Sequence, residues 1–301
     1  MKAPFFFLCL LFINLSVDAA SAYPKKVADT WAYIPSGKIK MMGQKDSTEV
    51  KGFWMQKYEV RNRDYLDFVA WVAKNGDAQK LKTALPDTMV WRGPYAYNEP
   101  YMLYYFRHPA YYDYPTVGVG YEAAKFYCAW LTEVYNARLA ELFPKLDAKA
   151  VEVRLPTETE WMWAAKGGHP SAVYPWAGPF LRNPNGDLLC NFQRLGEGAF
   201  TRDMKTGKMV LVPLTPTSGY PSKYDYTDVT APVESYWPND YGLYNMAGNV
   251  AEMVSVAGVS KGGSWYTGGY DARIEAPDPN EGNTVPTAFI GFRPIFTVVP
   301  R

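Results

Sequence analysis

Tyr241-Gly-Leu-Tyr-Asn-Met-Ala-Gly-Asn-Val-Ala-Glu252 is followed in order by Lys261-Gly-Gly-Ser-Trp265 and Gly291-Phe-Arg293. The stretch is irregular backbone dense in glycine, so the chain can wrap where an ordinary strand or helix could not. It is also rich in oxygen donors. Asn245 and Glu252 bracket Gly248 at loop spacing, and amide, carboxylate and carbonyl oxygens converging on one point suit a hard cation such as Ca²⁺. The spacing is not that of an EF-hand, and a tight turn feeding a core strand accounts for the same residues, so both readings stand at this level.

Outside this stretch the chain reads as one globular unit. Its 301 residues are 48% hydrophobic and 20% charged, enough to bury a large core. A net charge of +1 gives no electrostatic reason to expect nucleic acid or an anionic membrane as partner. The aromatic load is high, with 24 Tyr, 15 Phe and 10 Trp beside 24 Gly and 24 Pro. Such a mixture suits a loop-rich fold whose irregular segments are pinned by large rings, and it also suits a binding surface.

Lys2 precedes an apolar run from Phe5 to Leu15, too short for a membrane span, and Ala20-Ser-Ala22 supplies small residues for signal peptidase. Residues 1–22 are therefore expected to be a signal peptide and residues 23–301 a single exported domain with no transmembrane span. Phe7 and Leu8 make a poor lipoprotein cleavage site before Cys9. Cys128 and Cys190 remain, and both are expected to be unpaired, Cys128 facing the core as a small hydrophobe.

Three helices are legible. Asn62 is expected to cap the first, in which Tyr65, Phe68, Val69 and Val72 repeat at three and four before a stop near Lys74-Asn-Gly76. The second starts near Tyr121, carries Ala124, Tyr127, Trp130 and Leu131, and is expected to continue through Tyr135 towards Leu142. Thr157 and Glu160 form a capping box for the third, which Gly167 ends. Everything after Gly168 reads as loops and short strands.

The array resembles the formylglycine-generating enzyme, or sulfatase-modifying-factor, family, which carries a Tyr-Gly-Leu-Tyr-Asn loop, a Gly-Gly-Ser segment and a terminal Gly-Phe-Arg. Arg154-Leu-Pro-Thr-Glu-Thr-Glu-Trp161 with Ala164-Ala-Lys-Gly-Gly168, Glu59-Val60 with Asn62 and Tyr65, and Pro115-Thr-Val117 with Tyr127-Cys-Ala-Trp130 are similar to its other signatures. The resemblance implies an α+β fold related to C-type lectins, low in regular structure, with few helices and short strands.

It also implies two structural calcium ions. Asn245 and Glu252 through side chains, with the carbonyls of Gly248 and Val250, correspond to one site. Asn191 and Asp225, with the carbonyls of Phe192 and Thr227, correspond to the other, aligned through Asn191-Phe192 and Thr230-Ala-Pro-Val233. Oxygen sets of this kind suit Ca²⁺, and an ion bound on folding stabilises irregular loops.

The family's catalytic members oxidise a substrate cysteine with oxygen, using copper held by two thiolates shortly after the Gly-Gly-Ser segment, and soft thiolates are what Cu(I) selects. Those two places fall on Thr267 and Ala272, and no cysteine lies between residues 191 and 301. No copper is expected. The iron-dependent sulfoxide synthases on the same fold need clustered histidines, whereas this chain has only His108 and His169, read as loop histidines. Nucleophile-elbow, zincin, P-loop and dinucleotide motifs are absent, and nothing in the sequence pairs Asp87, Glu152 and Glu158 as acid and base. No catalytic residue is assigned.

Leu85-Pro-Asp-Thr-Met-Val-Trp91, Tyr97-Asn-Glu-Pro-Tyr101, Phe106-Arg-His-Pro-Ala-Tyr111 and Tyr114-Pro-Thr-Val-Gly-Val119 are similar to a non-catalytic branch found in gliding-motility and type IX secretion lipoproteins. That implies a structural component of an envelope complex, periplasmic, outer-membrane-associated or secreted, whose partners are other envelope proteins met through residues 91–114. An enzyme of the superfamily with an unrecognised site and a lectin-like ligand binder are the alternatives.

Overall fold

The computed structural model describes residues 27–41, 43–92, 98–193, 198–202, 206, 209–213 and 229–300. The expected signal peptide and the expected ligands Asp225 and Thr227 lie outside these residues. In chain order the elements are β1 (Trp31–Ile34), β2 (Gly37–Ile39), β3 (Thr48–Val50), β4 (Phe53–Gln56), α1 (Asn62–Asn75), α2 (Ala78–Ala84), α3 (Glu99–Tyr104), α4 (Tyr121–Ala137) and α5 (Leu139–Leu142). They continue with β5 (Ala150–Arg154), α6 (Glu158–Ala165), β6 (Gly198–Arg202), β7 (Met209–Pro213), β8 (Ala251–Met253), β9 (Ser260–Lys261), β10 (Ile290–Phe292) and β11 (Ile295–Val299). This is the mixed architecture of few helices and short strands that the sequence implies.

An antiparallel sheet in the order β1-β4-β11-β5 joins the start of the domain to its end, with Phe296 opposite both Trp54 and Val153. Strand alternation sorts its side chains onto two faces. Trp31, Trp54, Val153 and Phe296 meet α1 and α4 through Phe68, Tyr127, Trp130 and Tyr135. Ile34, Phe53, Met55 and Ile295 meet Trp161 and Met162 of α6. The outer edge of β5 is closed by α4: Asn136 exchanges hydrogen bonds with the N–H and C=O of Val151 at 2.8 and 2.9 Å, and Val153 N–H donates to Thr132 Oγ1 at 2.9 Å. Covering an edge in this way removes a strand-pairing template.

Two helix boundaries depart from expectation. Asn62 is the first residue of α1 and not its cap, a position that Arg61 holds. The Asn62 side chain turns inward instead, buried, where Nδ2 donates to the carbonyls of Tyr105 and Tyr111 at 3.0 Å each. The second helix stops at Ala137, because Arg138 leaves the helical region at φ −130° and ψ 28°, and α5 is a separate turn. The Thr157 and Glu160 capping box of α6 is present in both its hydrogen bonds, 3.2 and 2.8 Å.

Among the described residues, the aromatic stretch expected to offer a partner surface is divided between core and surface. Trp91, Tyr105 and Phe106 are buried in a cluster with Val117, Val250 and Ala288, and Tyr101, Tyr111, Tyr114 and Trp265 pack against it. Leu103, Tyr104 and Tyr112 stay exposed, as do Leu85 and Met89 just before the stretch.

β8, β9 and β10 assemble the opening motifs into one small sheet. Glu252 on β8 stands opposite Lys261 on β9 and opposite Gly291 on β10, the latter in parallel. The three signature segments are therefore neighbours through their backbones at Glu252. No helix among the described residues is long and apolar enough to cross a membrane.

Candidate functional site

Glu252, Arg293 and Glu59 form a charged centre that is almost wholly closed to solvent, with relative exposures of 1%, 0% and 0%. Arg293 uses its whole donor fork. Nε reaches Glu252 Oε1 and Oε2 at 3.0 and 3.1 Å, Nη1 reaches the carbonyls of Gln56 and Lys57 at 3.1 and 2.6 Å, and Nη2 reaches the Tyr244 carbonyl and Glu252 Oε1 at 2.6 Å each. Trp161 Nε1 adds a hydrogen bond to Glu252 Oε2 at 2.7 Å. Both oxygens of Glu252 are thus engaged, by three N–H donors of which the Arg293 Nε–H is shared between them.

Glu59 lies 3.9 Å from Arg293 Nη2 and accepts from Asn249 Nδ2 at 2.8 Å and Asn245 Nδ2 at 3.2 Å. Burial pushes its carboxyl up to about 8; Arg293 opposes that and Glu252 adds to it. Two buried carboxylates facing one guanidinium leave an excess negative charge, which protonating Glu59 removes. Asn245 and Asn249 both sit at positive φ, 52° and 61°, a region in which asparagine is among the better-tolerated side chains. Asn249 Oδ1 accepts from Ala231 N–H at 2.7 Å, and its own N–H donates to the Asn191 carbonyl at 2.7 Å. Gly248, at φ 73°, leaves no room for a Cβ, which would run into that carbonyl.

The structure therefore brings the expected calcium ligands Asn245, Gly248, Val250 and Glu252 into one buried neighbourhood, with Asn191 behind it. Their side chains differ in availability. Asn245 Oδ1 is buried without a hydrogen-bond partner and is free to meet a cation, whereas Glu252 is committed to Arg293 and Trp161. Asn191 Nδ2 donates to the Val229 carbonyl at 2.7 Å, and Phe192 is a half-buried ring packed beside Tyr236 and Leu188. Glu59, Asn249, Trp161 and Arg293 were not read as site residues from the sequence. The available signal was the placing of single charges among apolar neighbours, as in Tyr58-Glu-Val60 and Gly291-Phe-Arg293.

Thr267 and Ala272, the positions at which the resemblance places copper thiolates, are engaged in other contacts. Thr267 Oγ1 accepts from Ser264 N–H at 2.8 Å and donates back to the Ser264 carbonyl at 3.3 Å, locking a turn. Gly263, at φ 66°, lets residues 271–272 fold onto it, with Asp271 C only 2.8 Å from where a Cβ would stand. Ala272 is fully buried in an apolar cluster with Tyr174, Ala247 and Cys190. Cys190 thus lies near the second position, which sequence spacing did not show. It is a single thiol, burial raises its pKa, and Cys128 sits in a different cluster under the same constraint. Tyr266 and Tyr270 are exposed in the same part of the chain.

Among the described residues no three His, Cys, Asp or Glu side chains gather as a metal group. His169 Nε2 lies 2.7 Å from Asp240 Oδ2 at an exposed site, and His108 Nδ1 accepts from Ala110 N–H. Glu158 accepts from the buried Lys261 at 3.3 Å and Asp87 caps a short turn, so neither stands free as an acid or base.

A profile of the family described as sulfatase-modifying factor enzyme 1-like domain matches residues 18–298. A formylglycine-generating enzyme of Thermomonospora curvata is 27% identical over 271 residues, 79% of this chain and 75% of that protein. A Bos taurus protein named inactive C-alpha-formylglycine-generating enzyme 2 is 30% identical over 144 residues, 48% of this chain and 33% of its own length. Among solved structures, Treponema denticola variable protein 1 superposes with a TM-score of 0.54 at 17% identity, covering 88% of this chain and 94% of that one, a likeness of fold.

The raised carboxyl of Glu59 has a signed consequence for stability. A carboxyl whose folded pKa exceeds the unfolded one stabilises the fold fully below the unfolded value, and that contribution is lost as pH rises through the folded value. In calcium-free buffer, thermal stability is expected to fall between about pH 5 and pH 8 by up to ~1.4 kcal/mol per unit. Glu59→Gln, which mimics the protonated form, should flatten that slope. An unchanged slope in calorimetric melts would refute the assignment.

Proposed function

This chain belongs to the sulfatase-modifying factor enzyme 1-like domain family, and we propose that it uses the family's scaffold as an exported, non-catalytic structural or binding protein. The observation that carries this reading is the pair Thr267 and Ala272. One hydroxyl is locked in a turn and one methyl is buried in an apolar cluster, where the chemistry of the catalytic members needs two thiolates. The Bos taurus relative named as inactive supports the idea that the scaffold outlives the activity. Fold alone does not transmit function, so the argument rests on those two positions. Incubated with copper, oxygen and a sulfatase-type cysteine peptide, the protein should form no aldehyde detectable by mass spectrometry. Turnover would overturn the reading.

The kind of company it keeps is proposed from the segments between Leu85 and Val119, which are similar to the gliding-motility and type IX secretion branch. Leu85, Met89, Leu103 and Tyr104 are each about half exposed there, between 50% and 53%, and would form the contact with an envelope partner. Affinity purification from envelope extracts should recover a stoichiometric partner, and exchanging Leu103 and Tyr104 for Ser should release it. Recovery of the protein alone would count against this placement.

Calcium is proposed at the Asn245 neighbourhood, where Asn245 Oδ1 offers an unpartnered oxygen beside Glu59, whose carboxyl burial keeps protonated and a bound cation would return to the ionised form. Bound there, the ion would supply charge neutralisation and loop cross-linking, not catalysis. A second ion at Asn191 and Phe192 would draw its remaining ligands, Asp225 and Thr227, from outside the described residues. Elemental analysis should find calcium, and a chelator should lower the melting temperature by several degrees, on the order of 2–3 kcal/mol for a tightly held ion. Metal-free protein with a chelator-insensitive melt would exclude both sites.

A further inference from the structure

β1 is the outer strand of the four-stranded sheet, and the two sides of its backbone are used differently. Gln56 N–H donates to the Pro294 carbonyl at 3.1 Å, whereas Lys57 N–H donates to the Thr30 carbonyl at 2.8 Å. Hydrogen-bonding direction alternates along an antiparallel strand, so Phe53, Met55 and Lys57 turn their backbone groups to β1 while Trp54 and Gln56 turn theirs to β11. The register sets Ala32 opposite Met55 and Ile34 opposite Phe53. Ala32 and Ile34 therefore bond inward, and the N–H and C=O of Trp31 and Tyr33 point away from the sheet. These outward groups have no hydrogen-bond partner among the described residues.

The far edge of the same sheet is treated otherwise, since Thr132 and Asn136 of α4 take the outward groups of β5. β1 lacks such cover and also lacks the usual devices that blunt an edge. Trp31–Ile34 holds no charge and no proline, and it is as long as β4 beside it. Its side chains lean away from the edge. The Trp31 ring turns into the core, 4.8 Å from that of Phe296, and the Tyr33 ring tilts over β4, 5.3 Å from that of Trp54, with its hydroxyl beside Gly52. Tyr33 stays 54% exposed.

The outward groups are self-complementary. In an antiparallel pair, two residues that face each other with their backbone groups exchange both hydrogen bonds, and the residues between such pairs meet without any. A two-fold axis at Ala32 sets Trp31 opposite the partner's Tyr33 and Tyr33 opposite the partner's Trp31, which satisfies every outward group of both strands. Ala32 then meets its counterpart at the closest approach of the pair, where a methyl group needs the least room, and the rings form aromatic cross-strand pairs. We infer that β1 pairs antiparallel with β1 of a second copy of this chain, joining the two four-stranded sheets into one. The contact is isologous and uses up the open edge of this sheet, so association stops at two. It involves none of the residues assigned above to calcium, to the thiolate positions or to an envelope partner.

The test follows the full chain by analytical ultracentrifugation over a wide range of concentration, with amide hydrogen exchange read by NMR at both ends of that range. A monomer–dimer equilibrium is expected. The Trp31 and Tyr33 amides should exchange at least about tenfold more slowly where the dimer dominates, because they are bonded only there. Tyr33→Pro removes one outward N–H per copy, and an edge strand accepts proline on a side that makes no bond within the sheet. The loss of two symmetry-related hydrogen bonds should raise the dimer dissociation constant by at least about tenfold. If this variant does not fold, the exchange measurement on the unaltered chain decides alone. A monomer at every concentration overturns the inference and leaves the edge to a different partner or to none. Trp31 and Tyr33 amides whose exchange ignores concentration also overturn it, because the edge is then covered from within the chain or the dimer contact lies elsewhere. So does a folded Tyr33→Pro protein that dimerises with full affinity.

Discussion

A fully buried guanidinium organises the structure. Arg293 is reached from the end of β4 through Gln56 and Lys57, from the signature loop through Tyr244, and from β8 through Glu252, which Trp161 on α6 also holds. Desolvating such a charge costs several kcal/mol, and the arrangement is tolerable only because each donor has an oxygen to meet. Removing one partner of a pair of this kind typically costs about 3–5 kcal/mol, since the other charge is then stranded. Segments with little regular structure can therefore be held rigidly by polar contacts that hairpins or helices would otherwise have to replace.

That constraint explains why the neighbouring backbone is irregular. Hydrogen-bonded polar groups must arrive at one point from several directions, which favours positive φ at Asn245 and Asn249 and close backbone approach at Gly248. It also bears on the calcium reading. A metal ion and an arginine are alternative ways to neutralise buried carboxylates, and here the arginine occupies Glu252 while Asn245 Oδ1 is left without a partner. The positions of Thr267 and Ala272 are instead filled by a turn lock and an apolar side chain.

Much of the helical framework was legible because periodicity and caps are local. The stripes of α1 and α4 and the capping box of α6 appear where the residues place them. The short α2 and α3, at 7 and 6 residues, carry too few turns for a period to show. Asn62 is instructive: its residue type suits a cap, yet the carbonyls of Tyr105 and Tyr111 draw its amide inward. The aromatic stretch gave no sign of which rings would be buried, because a tyrosine suits a core and a surface equally well.

Order and identity of the motifs determined the fold and the absence of cysteine at residues 267 and 272, because both depend on which residues are present and in what sequence. Only the tertiary structure decided that Glu252 would meet Arg293, that Glu59 would be driven to hold its proton, and that Cys190 would lie beside Ala272. Those outcomes depend on burial and on distances between segments separated by tens to hundreds of residues. Such distances exist only once β4, β8, β10 and β11 have closed around the same centre.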